Sequence, residues 1–404
     1  MIVGALIGSF LGVVAGSIPG LHSNTFSALI VSTSAFLYLH FSPEDVLAMI
    51  ISSAVAYTIS NIIPTTFLGV PSEDTAIGVL PTHKMVLEGR GFEALSISCF
   101  SSFLSILISI PLFYTAILVG KNYEFFKNIT PFVLFFVAFL LIMSEEAEEF
   151  EGSLSAWRKR SYAFLVFLVS GFLGYISLER SEIAEINPAG SVLLPLLTGL
   201  FGAPVLIISI FTRSSKIPKQ EMKLAFPEIP TAIKGSLAGF FVSIFPGISS
   251  GVATVVSSLG ERSDKGYIIA MSSANTANAI LCFFMLIAIE KTRSGSADAL
   301  KTLNLIPSFS EIAILSLLSG IIALISTIAI GYIVATKIDS IDGRKLSLLV
   351  FILLMILVFI LTGFFGLAVF FSSIPIGLST QFLGVKRTNC MGCLILPVIN
   401  WYLV

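Results

Sequence analysis

The chain has 404 residues, of which 55% are hydrophobic and 12% charged, and its formal net charge is −1. Soluble domains carry about 25% charged residues, so this composition, with a mean hydropathy of +0.98, excludes a soluble globular fold, and the balanced charge excludes nucleic acid as a partner. In a bilayer the length suffices for about a dozen crossings, which predicts a multi-pass protein of the prokaryotic cell membrane.

The apolar stretch Met1–Ile18 comes first. It has no basic leader and no small-residue cleavage site, so it reads as mature structure rather than a signal peptide. Membrane crossings are predicted over 25–40, 46–63, 94–119, 129–143, 161–178, 190–211, 266–289, 311–336, 346–371 and 390–404. These runs are too long and too apolar for amphipathic surface helices. A barrel would instead show alternation over about ten residues between turns. The predicted class is an all-α polytopic membrane protein with about 10–12 spans plus re-entrant or broken helices.

Four apolar stretches are too short or too interrupted to be ordinary spans. They are 2–18 before Pro19-Gly20, 62–80 with Pro64, Gly69 and Pro71, 235–260 with Pro246-Gly247, and 373–385 with Pro375 and Gly377. Proline removes a backbone donor and clashes with the preceding turn. Irregular backbone at membrane depth survives only where protein or a wet cavity satisfies it.

Loop charges predict orientation. Arg158, Lys159 and Arg160, and the lysines of the polar stretch 212–234, lie on one side, which the positive-inside rule makes cytoplasmic. The loop with Glu179, Glu182 and Glu185 then lies outside, and the acidic run 145–151 reads as a solvated loop. Cys99 and Cys282 sit in apolar runs as packing residues. Cys390 and Cys393 form a lone C-x-x-C without a second pair or a nearby histidine, which reads as helix packing rather than metal or redox chemistry. His22, His40 and His83 are scattered at segment ends and read as structural.

The chain resembles itself. With Pro19-Gly20 set against Pro246-Gly247, Gly8-Ser9 faces Gly235-Ser236 and Gly12 faces Gly239. Further on, Ser52-Ser53-Ala54 faces Ser272-Ser273-Ala274, and Gly171-Phe172-Leu173-Gly174 resembles Gly363-Phe364-Phe365-Gly366. The predicted organisation is a first membrane repeat over 1–212, a polar linker over 213–230 and a second repeat over 231–404. An odd number of spans in each gives two inverted-topology repeats. In such folds corresponding broken segments point to a substrate site near the midplane.

The candidate substrate residues follow from that pairing: Pro19, Gly20, Ser23, Asn24 and Thr25 in the first copy, and Pro246, Gly247, Ser249, Ser250 and Gly251 in the second. A helix starting after each break would present free N–H groups and a positive dipole end to an anion. The alternative is a kinked helix with small residues for close packing. Ser72, Thr75, Asn275 and Asn278 join the candidates, the two amides sharing one helix face. Asn61, Thr65, Glu73, Asp74 and Asp298 are candidate ligands of a coupling ion, and Lys291 and Arg293 are cations able to pair a substrate carboxylate. No metal-ligand helix, nucleotide loop or nucleophile elbow appears. No catalytic residue, resident metal or cofactor beyond a coupling Na⁺ or H⁺ is therefore expected.

Gly12–Ala28, with Pro19-Gly20 and Thr25, resembles the opening of the large membrane subunit of tripartite tricarboxylate transporters. Leu68–Ala76, Val79-Leu80-Pro81, Glu88–Leu95, Pro246-Gly247 and Ser273–Ala279 are similar to further elements of that family, and the likeness covers nearly the whole chain. It implies a permease for citrate-like carboxylates that works with a small membrane subunit and an extracytoplasmic binding protein. Departures are the short chain, Pro71-Ser72 where Pro-Gly is usual, the separated Asn275 and Asn278, and a missing Gly-Tyr-Pro element. They point to a divergent, archaeal branch and count against those two partners.

The expected function is secondary transport of an anionic organic solute, driven by Na⁺ or H⁺, by a chain in contact with membrane lipids and capable of homo-oligomerisation. Two alternatives are a transporter of a lipid-linked phosphate such as polyprenyl phosphate, since Pro246–Gly251 resembles an element of such proteins, and a non-transporting scaffold or intramembrane enzyme.

Overall fold

Every regular element among the described residues is helical. The computed structural model describes the chain except 19–22, 71, 73, 146–152, 185–191, 212–216, 246–249, 341 and 404, and except the side chains of 23–25, 28, 32, 153, 154, 184 and 403. Helix α1 (Ile2–Ser17) leads to α2 (Ser23–Ser32) and a single turn, Ser34–Leu37. Helix α3 (Pro43–Ser60) continues past Asn61 as Ile62–Leu68, and α4 (Val79–Leu87) precedes α5 (Gly91–Ser109). After Leu112–Gly120 come α6 (Tyr123–Met143), α7 (Ser153–Glu179) and α8 (Leu193–Phe211). Beyond the linker lie α9 (Ile229–Ile244), α10 (Ser250–Ser258), α11 (Asp264–Ile289), α12 (Gly295–Thr302), α13 (Phe309–Lys337), α14 (Gly343–Phe382) and α15 (Gly392–Leu403).

Eight helices among the described residues are long and apolar enough to cross a membrane, with α1 and α9 among the shorter apolar ones. Several predicted boundaries change. The span expected over 25–40 is instead α2 and the separate turn Ser34–Leu37, because a hydropathy window averages across a break. The span expected over 94–119 divides at Pro111. The stretch expected at 390–404 is a 3₁₀ segment, Arg387–Met391, followed by α15.

The expected span 346–371 and broken segment 373–385 are one element with its break elsewhere. Gly363 has φ 63° and ψ −156°, a conformation essentially confined to glycine. The rings of Phe351 and Phe370, on either side of it, lie 5.8 Å apart, so the two arms of α14 fold back on each other. Pro375 stays inside the second arm. By contrast, Gly171 and Gly174 lie within the continuous α7 and pack on Leu396 and Cys393. The four-residue likeness between 171–174 and 363–366 therefore carries no shared conformation.

Glycines set the central packing. A Cβ on Gly8 would lie 2.5 Å from the Met49 carbonyl oxygen, and one on Gly12 would lie 2.4 Å from that of Ser53. Contacts advance together along both helices, so α1 and α3 run in parallel with their backbones almost touching. Likewise a Cβ on Gly235 or Gly239 would lie 2.5 Å from the carbonyl oxygen of Ala270 or Ala274, so α9 and α11 run in parallel. In this packing Met49 and Ser53 stand where Ala270 and Ala274 stand. The sequence alignment set Ser53 against Ser273, one residue away, because small residues match equally well in adjacent registers.

Parallel α1 and α3 begin at the same end, where Gly4 N–H donates to Asp45 Oδ1 at 3.1 Å. The chain between them must therefore return, and α1 with α2 forms a hairpin. Helix α9 with α10 forms a second, because Lys234 near its start pairs with Glu261 at 2.6 Å, just before α11 begins. Sixteen residues make each entering helix about 24 Å long, short of a hydrocarbon core of about 30 Å.

The two hairpins enter from opposite ends. Phe67, at the far end of α3, packs beside Gly91 at the start of α5. Glu93 on α5 pairs with Lys265 at the start of α11 at 2.6 Å. Helix α3 thus finishes where α11 begins, and the two run antiparallel, each with its own hairpin alongside.

Candidate functional site

Near the end of α3 and at mid-length of α11 the two helices meet, where Thr276 donates to Thr58 Oγ1 at 3.1 Å. Around this crossing the return helix of each hairpin lands on the opposite half of the chain. The hydroxyls of Ser27 in α2 and Ser296 in α12 lie 2.7 Å apart. Ser250, the first residue of α10, donates to Asp74 Oδ1. Of the expected substrate residues, Pro19, Gly20, Pro246, Gly247 and Ser249 lie outside the described residues, as does the coupling candidate Glu73, while Ser23, Asn24 and Thr25 start α2 without described side chains. Gly251 follows Ser250 in the first turn of α10 and is buried.

The loop beneath Ser250 is held by hydroxyls. Helix Ile62–Leu68 ends at Gly69, whose φ of 66° turns the chain out of the helix. Thr65 then donates to Thr75 Oγ1 at 2.7 Å, and Ser72 N–H donates to the same oxygen at 3.0 Å. This clasp orders Asp74 against α10. An external anion was the expected occupant at the start of that helix; here Ser250 binds the chain's own carboxylate, where the helix dipole stabilises negative charge. Ser72, Thr65, Thr75 and Asp74 are thus brought together with Ser250.

Asn61 caps α3, and its Nδ2 is buried without a partner among the described residues. Asn275 and Asn278 are buried on α11, the Asn278 backbone lying against Gly239 of α9. Asp298 lies apart from these groups: it is exposed in the first turn of α12 and accepts from Thr292 at 3.2 Å. Its carboxylate is accounted for by the helix start and solvent.

Arg293 places a cation near the second hairpin. Its guanidinium lies 4.9 Å from the Tyr123 ring centroid, and its Nε and Nη2 are buried without a hydrogen-bond partner among the described residues. Phe126, one turn beyond Tyr123, meets the ring of Phe245, the residue before Pro246, at 6.1 Å. The cation–π contact fixes the guanidinium plane while leaving N–H groups for an acceptor.

Two features were not singled out in the sequence. Ser98, Ser102 and Ser105 on α5 form a ladder to α11, bonding Ser272 Oγ at 2.7 Å, Ser272 O at 3.2 Å and Ser273 O at 2.7 Å. Serine at helical spacing inside an apolar run was the available signal. The other is a crevice of about 280 Å³ at the end where α5 and α11 begin, lined by Ala76, Lys84, Phe201, Asp264, Arg387 and Thr388 among others. Lys84 and Asp264 pair across it at 2.7 Å, and that hydrogen bond holds the Lys84 ammonium above its ordinary pKa. Cys390 and Cys393 are buried and not disulfide-bonded, Cys393 packed on Gly174.

The family model described as the tripartite tricarboxylate transporter TctA family matches residues 2–392. Over 98% of each chain, the sequence is 31% identical to an uncharacterized protein of Methanocaldococcus jannaschii. No solved structure matches it.

Proposed function

The chain belongs to the tripartite tricarboxylate transporter TctA family and is a multi-pass transporter of the prokaryotic cell membrane; from this we propose secondary active transport of an anionic, carboxylate-bearing organic solute coupled to Na⁺ or H⁺. Tricarboxylate-type solutes are the family's general class, and its tripartite make-up implies partner subunits in general. In this reading residues 1–212 and 231–404 are inverted copies joined by the linker 213–230.

The observation that carries the proposal is the pair of short hairpins that enter from opposite ends and land crosswise, Ser27 on Ser296 and Ser250 on Asp74. Two half-crossing hairpins on antiparallel central helices are the parts that alternating access needs: a shared site and two gates of opposite orientation. Substrate carboxylate competes with Asp74 for the α10 N-terminus, and Arg293 supplies a counter-charge. Asn61, Asn275 and Asn278 offer amide groups to substrate or ion, and Asp74 links substrate entry to binding of the coupling cation.

A lateral groove of about 480 Å³ between α6, α7 and α15 shares no lining residue with either hairpin, so it lends no support to a lipid phosphate at the tips. The test is uptake into proteoliposomes of a panel of mono-, di- and tricarboxylates under imposed Na⁺ or H⁺ gradients. Gradient-dependent accumulation of at least one is expected. Failure with every carboxylate under both gradients would remove the proposal.

A further inference from the structure

We propose that the crevice between α4, α11 and the 3₁₀ segment Arg387–Met391 is a second anion site, in which Arg387 captures a carboxylate group of the solute on its way to or from the hairpins. This rests on the transport reading above. The walls come from both sides of the linker: Ala76, Ile77 and Phe201 face Asp264, Tyr267 and Thr388. Ala76 and Ile77 follow Asp74-Thr75 directly, so the crevice adjoins the clasp beneath Ser250.

Its charge is unbalanced. Lys84 and Asp264 neutralise each other at 2.7 Å, which leaves the Arg387 guanidinium as the uncompensated charge among the lining residues. Arg387 spends Nη1 on the Phe201 carbonyl oxygen at 3.2 Å, while its Nε is buried with no partner among the described residues. Glu145, the nearby buried carboxylate, is committed elsewhere: it accepts from Lys386 N–H at 2.8 Å and from Asn389 Nδ2 at 2.7 Å. A planar guanidinium that lines a partly enclosed cavity suits a carboxylate, which such a group can engage through two parallel hydrogen bonds. A low-dielectric wall also strengthens the attraction relative to open water.

The crevice opens at the end that carries the linker: Glu221 N–H donates to the Gly89 carbonyl oxygen at 2.8 Å, and Gln220 Nε2 donates to Val86 O at 3.0 Å. The loop charges assign that end to the cytoplasm. Arg387 therefore serves the inward side of the pathway, and Arg293 the region of the second hairpin's tip.

All four native cysteines are buried, so a cysteine placed in the crevice can be read by thiol labelling in the otherwise unaltered chain. Thr388→Cys is treated with methanethiosulfonate reagents of similar size, one anionic and one cationic. The anionic reagent is expected to react faster, and millimolar citrate to slow it. Adding Arg387→Gln is expected to lower the anionic-to-cationic rate ratio about tenfold, and Arg387→Lys to preserve most of it. Leu80→Cys, on the opposite wall, gives the same readout if the first variant does not fold. A ratio indifferent to Arg387→Gln, or labelling indifferent to citrate, would overturn the assignment. Labelling reads anion capture without transport, so absence of uptake by the unaltered chain would strike the transport proposal alone.

Discussion

Ser250 donates its hydroxyl to the Asp74 carboxylate, which ties the tip of the second hairpin to the loop that follows the first half's central helix. The two residues are 176 positions apart in sequence, and the contact closes the start of α10 against the other half of the chain. A transported carboxylate must displace Asp74 or share its partners. Asp74→Asn is expected to cut gradient-driven uptake at least about tenfold, and Ser250→Ala by a similar factor, because a hydroxyl-to-carboxylate bond contributes roughly 1.5–3 kcal/mol. Gel filtration of the purified variants controls for folding. Wild-type uptake by Asp74→Asn would remove this residue from coupling.

Arg293 holds over Tyr123 two buried nitrogens without a hydrogen-bond partner among the described residues. Loss of a charge-assisted hydrogen bond of about 1.5–3 kcal/mol predicts that Arg293→Gln raises the half-saturating substrate concentration about tenfold or more. Arg293→Lys restores little, because an ammonium lacks the planar fork. The check is a concentration series of uptake. An unchanged half-saturation would assign Arg293 to packing alone.

Gly12 and Gly239 should respond alike to added volume. A Cβ on either falls about a bond-width inside a backbone carbonyl, at 2.4 Å from Ser53 O or 2.5 Å from Ala274 O. Backbone cannot rotate away as a side chain can, so Gly12→Val and Gly239→Val are each expected to cost about 1–3 kcal/mol. Leu6→Ala, at a residue 51% exposed on the outer face of α1, is expected to change stability by roughly 0.5 kcal/mol or less. Thermal unfolding in detergent compares the three, and equal midpoints would contradict the close helix approach.

Gly363 turns α14 back on itself at φ 63° and ψ −156°. An alanine there would meet backbone strain of about 1–3 kcal/mol, so Gly363→Ala is expected to lower the unfolding midpoint. Pro375→Ala removes a residue already accommodated within the second arm and is expected to leave it unchanged or raise it. The reverse order would place the break at Pro375.

Composition and local chemistry were enough to read the class of the protein. Long apolar runs with charge confined to loops dictate membrane-crossing helices, because no unpaired backbone is tolerated in hydrocarbon. Pro19-Gly20 and Pro246-Gly247 were legible as interruptions for an equally local reason, since α1 ends at Ser17 and α9 at Ile244 just before them. The residues that resemble a transporter family also led to the family now shown. The break at Gly363 was missed because glycine's permissiveness leaves no hydropathy signal, and the serine ladder of α5 was missed because each serine is unremarkable alone.

Tertiary structure decided what depends on residues far apart. The direction of each hairpin follows from which glycines touch which carbonyls, and from Phe67 lying beside Gly91. The use of Asp74 as the chain's own anion on α10, and the unbalanced charge of Arg387 opposite the paired Lys84 and Asp264, come from the same source. Hydropathy and backbone propensity act over a few neighbouring residues and are written in the sequence. The partner of a buried charge, or the end from which a helix enters, is settled by packing between helices that are distant in the sequence.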